Sequence, residues 1–138
     1  MENSLLLLSS YDIHRIRILS IFLRVNLPNG HLARVAEIKI LAYLLSSTHP
    51  DGRAKHDFFV RFGFRPHDPD QLAEALLHHG QSFEVVRMEH TLFGRRYVIE
   101  GPLDSPDGRN PVIRAVWFID SGDDVPRLIT AYPRPKGD

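Results

Sequence analysis

The chain has 138 residues, 43% of them hydrophobic, with 17 lysines and arginines against 17 acids. That length and composition fit one globular domain with a single core. Charge is balanced in both halves, which excludes a broad basic field for nucleic acid and leaves room for a small local basic site. With no cysteine there is no disulfide, thiolate metal site or cysteine nucleophile, and a reducing cytoplasm is compatible with this. The eight histidines are dispersed without HExxH-type spacing, so neither a metal nor another cofactor is expected.

Residues 1–26 read as an N-terminal extension. Leu5–Leu8 is too short for a membrane span, and the absence of an early base argues against a signal peptide. The many isoleucines and leucines up to Val25 favour packing on the domain that follows, residues 27–138. Leu27-Pro28-Asn29-Gly30 has turn composition. A helix is predicted over 35–47, with Ile38, Leu41, Ala42 and Leu45 spaced to form one apolar face.

Thr48 to His56 then packs His49, Arg53, Lys55 and His56 into nine residues. Lysine is scarce in this chain, so Lys55 beside His49 is the first place to look for chemistry. A second helix should run from about Asp51 to Phe62 on Phe58, Phe59 and Phe62, with Gly63 as its C-terminal cap. The third has the clearest start: Asp68 as cap, Pro69 at the first position and Gln71 completing a capping box. Leu72, Ala75, Leu76 and His79 form its stripe, Gly80 ends it, and His78 and His79 suit the negative end of the helix dipole.

After Gly80 the period changes. Segments 83–89, 95–103, 111–119 and 127–132 are rich in β-formers and are separated by short turns, which implies an antiparallel four-stranded meander. Val112–Ile119 is apolar at nearly every position except Arg114, as suits a central strand. Trp117 is expected in the core. Helices followed by strands give an α+β domain with the helices on one face of the sheet.

From Leu27 onward the chain resembles a family of bacterial and phage domains of unknown function. The matching words are Leu27-Pro28-Asn29, Leu41–Leu45, His49-Pro50-x-Gly52-Arg53-x-Lys55 with Phe58-Phe59, Gly94-x-x-Tyr97, Gly108-Arg109, Val116-Trp117 and Val125–Pro133. Its layout is similar to that of RNA-cleaving toxins with the barnase–EndoU–colicin–RelE-like fold. The resemblance implies RNA as substrate, a cognate antitoxin or immunity protein as partner, and catalysis without metal by His, Lys, Arg, Thr and Tyr side chains.

Such cleavage needs a base for the 2′-hydroxyl proton, cations for the phosphate and an acid for the leaving 5′-oxygen. His49 is the candidate acid or base and Lys55 the charge stabiliser. Tyr97 and Thr130 are the further catalytic candidates, with Thr130 and Tyr132 expected on the same strand face as Leu128. Arg53, Arg109 and Arg127 are candidate phosphate contacts. The rival is a non-enzymatic protein-binding module of a toxin–antitoxin or mobile-element system, which would show an exposed apolar patch or an open sheet edge instead of a polar site.

Overall fold

The computed structural model describes residues 25–48 and 53–136. The N-terminal extension up to residue 24 and His49 lie outside the described residues. A short helical turn at Gly30–Leu32 precedes α1, Glu37–Lys39, which continues into a π-helical turn, Ile40–Leu44. Helices α2, Arg53–Arg61, and α3, Pro69–Ser82, follow. Strands β1, Val85–Thr91, β2, Gly94–Pro102, β3, Val112–Asp120, and β4, Arg127–Pro133, complete the order. They form one antiparallel sheet in the order β1-β2-β3-β4, an α+β fold in which the meander inferred from the short turns is present.

The first helix departs from its expected face. Leu45 N–H donates to Ile40 O at 2.7 Å, an i→i−5 bond that widens the turn. The widening rotates the stripe: Ile40, Leu44 and Leu45 are buried, whereas Ile38 is 72% exposed and Leu41 is exposed too. A 3.6-residue period could not register that extra residue.

Helix α2 ends as its glycine suggests. Gly63 has φ 104°, Gly63 N–H donates to Val60 O and Phe64 N–H to Phe59 O, the paired bonds of a Schellman cap. The Phe58, Phe59 and Phe64 rings pack edge to face and bring this cap into the core. Helix α3 starts at Pro69 after Asp68, but Asp68 makes no side-chain cap bond, so the expected capping box is not formed. It also runs past Gly80 to Ser82. Gly80 is there for closeness: a Cβ would meet Trp117 Cζ2 at 2.7 Å. His79 is buried in the same turn and donates from Nε2 to Gly101 O at 3.0 Å. Burial lowers its pKa from 6.5 to about 4, because a charge there would lose its water.

The helices cover one face of the sheet. Tyr97, Ile99, Ile113, Ala115, Trp117, Ile119, Leu128 and Ala131 point to it and share one core with Phe59, Phe64, Leu72 and Leu76. The edge strands both carry bulges. In β4, Val116 pairs with Thr130 but Trp117 pairs with Leu128, so Ile129 is the extra residue; Val86 plays the same part in β1. Bulges twist an edge away from further pairing. The start of β4 is also strapped, since Arg34 N–H donates to Pro126 O and Leu128 N–H donates to Arg34 O.

Candidate functional site: the uncovered face of the sheet

Among the described residues no helix lies on the second face of the sheet, and its side chains come from all four strands. Antiparallel pairing sets Glu100 of β2 directly opposite Arg114 of β3, and Arg114 opposite Tyr132 of β4. Cross-strand neighbours on one face meet side chain to side chain. Arg114 Nε donates to Glu100 Oε2 at 2.9 Å, and Arg134 Nε approaches Oε1 at 3.2 Å. One carboxylate thus lies between two guanidiniums. Its side chain is 18% exposed and that of Arg114 is 23% exposed, so this network is better sheltered than an ordinary surface ion pair. Arg87, Glu89, Arg96, Val98 and Tyr132 join these three around a groove of about 590 Å³.

Towards the β1–β2 turn the same face becomes apolar. A groove of about 400 Å³ is lined by Phe93, Phe118 and Ile129, with Arg96, Glu89, Asp120 and Arg127 at its rim. Arg96 borders both grooves. Glu89 is bonded to Arg87 at 2.6 Å and Asp120 to Arg127 at 2.8 Å.

Among the described residues, those singled out from sequence do not gather into one site. Thr130 and Tyr132 share the uncovered face, but Leu128 does not: the bulge at Ile129 turns Leu128 into the core. Thr130 Oγ1 is buried with no hydrogen-bond partner among the described residues. Tyr97 is 3% exposed and lies opposite Trp117 on the helix-covered face, so it cannot share a concave surface with Thr130.

Lys55 sits in the first turn of α2 with its Nζ 5.0 Å from the Tyr43 ring centroid, and Lys39 Nζ lies 5.1 Å from the same centroid. Two ammoniums on one ring give a local positive patch at the helical end. Arg53, the first residue of α2, is exposed. Arg109 is a structural pin. Its Nε bonds Asp107 at 2.6 Å, its guanidinium donates to Arg61 O at 2.7 Å, and it stacks 4.4 Å from the Phe62 ring centroid. Arg127 is committed to a two-bond pair with Asp120, whose carboxyl is held below its usual pKa by those bonds.

Glu100, Arg114, Arg134 and Arg96 were not singled out from sequence. The one signal was Arg114, the lone charge in an otherwise apolar strand, which marks an uncovered face and calls for a cross-strand partner. Among the described residues no three His, Asp or Glu side chains could hold a metal ion, and no helix is long and apolar enough to cross a membrane.

Comparison with solved structures finds the fold again. A chain of a contact-dependent growth inhibition toxin–immunity protein complex from Klebsiella pneumoniae 342 superposes with a TM-score of 0.58 at 19% identity. The match covers 72% of this chain and 98% of that one. No curated protein matches the chain. The model of a domain of unknown function, DUF6883, matches residues 26–135, and the chain belongs to that family.

Proposed function

We propose that the chain is the toxin domain of a toxin–immunity pair and cleaves RNA without metal at the uncovered sheet face. The observation that carries this reading is Glu100, held between Arg114 and Arg134 on a face that no described helix covers. Helices followed by a meander suit the barnase–EndoU–colicin–RelE-like architecture, and the fold shared with a chain of a toxin–immunity complex supports the toxin side of the reading. A cognate immunity protein is then the natural partner, and a cytoplasm, where RNA is exposed, is the place of action.

In this scheme Glu100 takes the proton of a 2′-hydroxyl, whose oxygen attacks the adjacent phosphorus. Arg114, Arg134 and Arg96 neutralise the phosphate as charge builds on it. The bond to the 5′-oxygen breaks, and Tyr132 supplies the proton it needs. The products are a 2′,3′-cyclic phosphate and a 5′-hydroxyl. His49 with Lys55 is the rival pair for the proton transfers, with Arg53 beside them for phosphate. The open face needs Tyr97, Arg109 and Arg127 only as structural supports.

The test is cleavage of total RNA by purified protein in the presence of a chelator, with growth of an expressing host alongside. Wild type should give fragments and arrest growth. Glu100→Gln should lower the cleavage rate by about a hundredfold or more, the scale of a lost general base. Intact RNA from folded wild type sinks the proposal. Activity that survives in Glu100→Gln but is lost in the His49→Ala/Lys55→Ala pair moves the site to the helical end. The second reading, a protein-binding module, is favoured by the exposed Leu92 and Phe93 and gains if neither variant matters.

A further inference from the structure

The uncovered face is polar at one end and aromatic at the other, and one arginine borders both. The ion pairs around it account for its charges unequally. Glu89 is bonded to Arg87, Asp120 to Arg127, and Glu100 to Arg114 and Arg134. Arg96 has no ion pair among the described residues, although it stands between the two grooves. It is thus the guanidinium available to an anion from outside, and a guanidinium fork suits a phosphate.

The neighbouring groove offers an aromatic surface. Phe93 is 77% exposed at the β1–β2 turn. The Phe118 ring lies low against the sheet: a Cβ on Gly94 would come within 2.7 Å of Phe118 Cε2. Arg127, neutralised by Asp120, lies 5.4 Å from that ring centroid. Ile129 stands on this face only because the β4 bulge places it there. A flat apolar surface of this size beside one available cation matches a nucleobase attached to its own phosphate. A duplex hides its bases in the stack and cannot use such a surface.

We propose that this end of the sheet is a nucleotide subsite for single-stranded RNA, with a phosphate on Arg96 and the adjoining base against Phe93 over Phe118 and Ile129. The inference rests on the RNA-cleaving reading and names the form of RNA that it requires: unpaired strands, loops or ends.

The probe is a short single-stranded 2′-O-methyl RNA, which lacks the attacking hydroxyl, compared with its duplex. Wild type should bind the single strand tightly and the duplex weakly. Phe93→Ala should weaken single-strand binding by roughly tenfold or more, the scale of one lost stack, and Phe93→Trp should restore it. Leu92→Ala, at the still more exposed neighbour, should change nothing. Arg96→Ala should weaken binding and make it less sensitive to salt. Equal binding of duplex and single strand, or unchanged binding by Phe93→Ala, overturns the subsite while leaving RNA cleavage standing. Equal losses in Leu92→Ala and Phe93→Ala also overturn it, because the turn would then be an apolar docking point for a protein. Wild type that neither binds nor cleaves RNA overturns both proposals.

Discussion

Gly80 shows how one atom is decided by its neighbours. In an isolated helix alanine is favoured over glycine by about 1 kcal/mol. Here the added Cβ would press into the Trp117 ring, which is buried and has no room to withdraw. Gly80→Ala should therefore destabilise by about 1–3 kcal/mol, reversing the usual sign, as read from a urea midpoint. Arg109 makes the same point about charge. It was a candidate phosphate contact, yet its guanidinium is occupied by Arg61 O, Asp107 and the Phe62 ring. Arg109→Ala should lower stability by about 1 kcal/mol through the lost bond to the Arg61 carbonyl and leave RNA binding at the sheet face unchanged. A sequence shows that an arginine is present but not whether its donors are free.

At the scale of elements, the helical segments diverged from expectation more than the strands did. The π-helical turn of Ile40–Leu44 moves the buried stripe by a residue or two. Ile40→Ala should then cost about 2–5 kcal/mol, whereas Ile38→Ala should stay within about 0.5 kcal/mol. Denaturant melts of the two variants check this, and equal effects would restore the simple helical stripe.

Helix α3 carries a pH dependence through His79. Its folded pKa is about 4, below the unfolded 6.5, so the unfolded chain binds a proton first as pH falls. Stability is full above pH 6.5, declines below it, and has lost this contribution by about pH 4, a total of about 3 kcal/mol. Urea midpoints between pH 8 and 4 should fall more steeply for wild type than for His79→Gln, whose amide can still donate to Gly101 O. Parallel curves would mean that folding does not lower the His79 pKa.

For the whole molecule, zero net charge hides an uneven arrangement. Glutamates and arginines alternate across the uncovered face, so their long-range fields largely cancel while local forks persist. The proposed RNA binding there should depend shallowly on salt. Only one to three phosphates would be neutralised, giving a log–log slope of about −1 to −2. A much steeper slope would demand a larger basic surface, and the Lys39–Tyr43–Lys55 patch would be the place to seek it. The described helices cover one face of the sheet, and the Glu100–Arg114–Arg134 network lies on the other.

The sequence by itself determined the four strands, their antiparallel order, the Schellman end of α2, the start of α3 and the burial of Trp117. These follow from local signals: β-rich runs, short turns, Gly63 where φ must be positive, and proline at a first helical position. Only the tertiary structure decided which face each side chain occupies. A bulge adds one residue without changing composition, and it sends Leu128 inward while keeping Thr130 outward. The register then sets Glu100 against Arg114 from 14 residues away, a pairing that exists only once two strands lie side by side. Local propensity acts over a few residues, whereas the candidate site on the sheet is made by cross-strand contacts, and that is why the fold could be read and this candidate site could not.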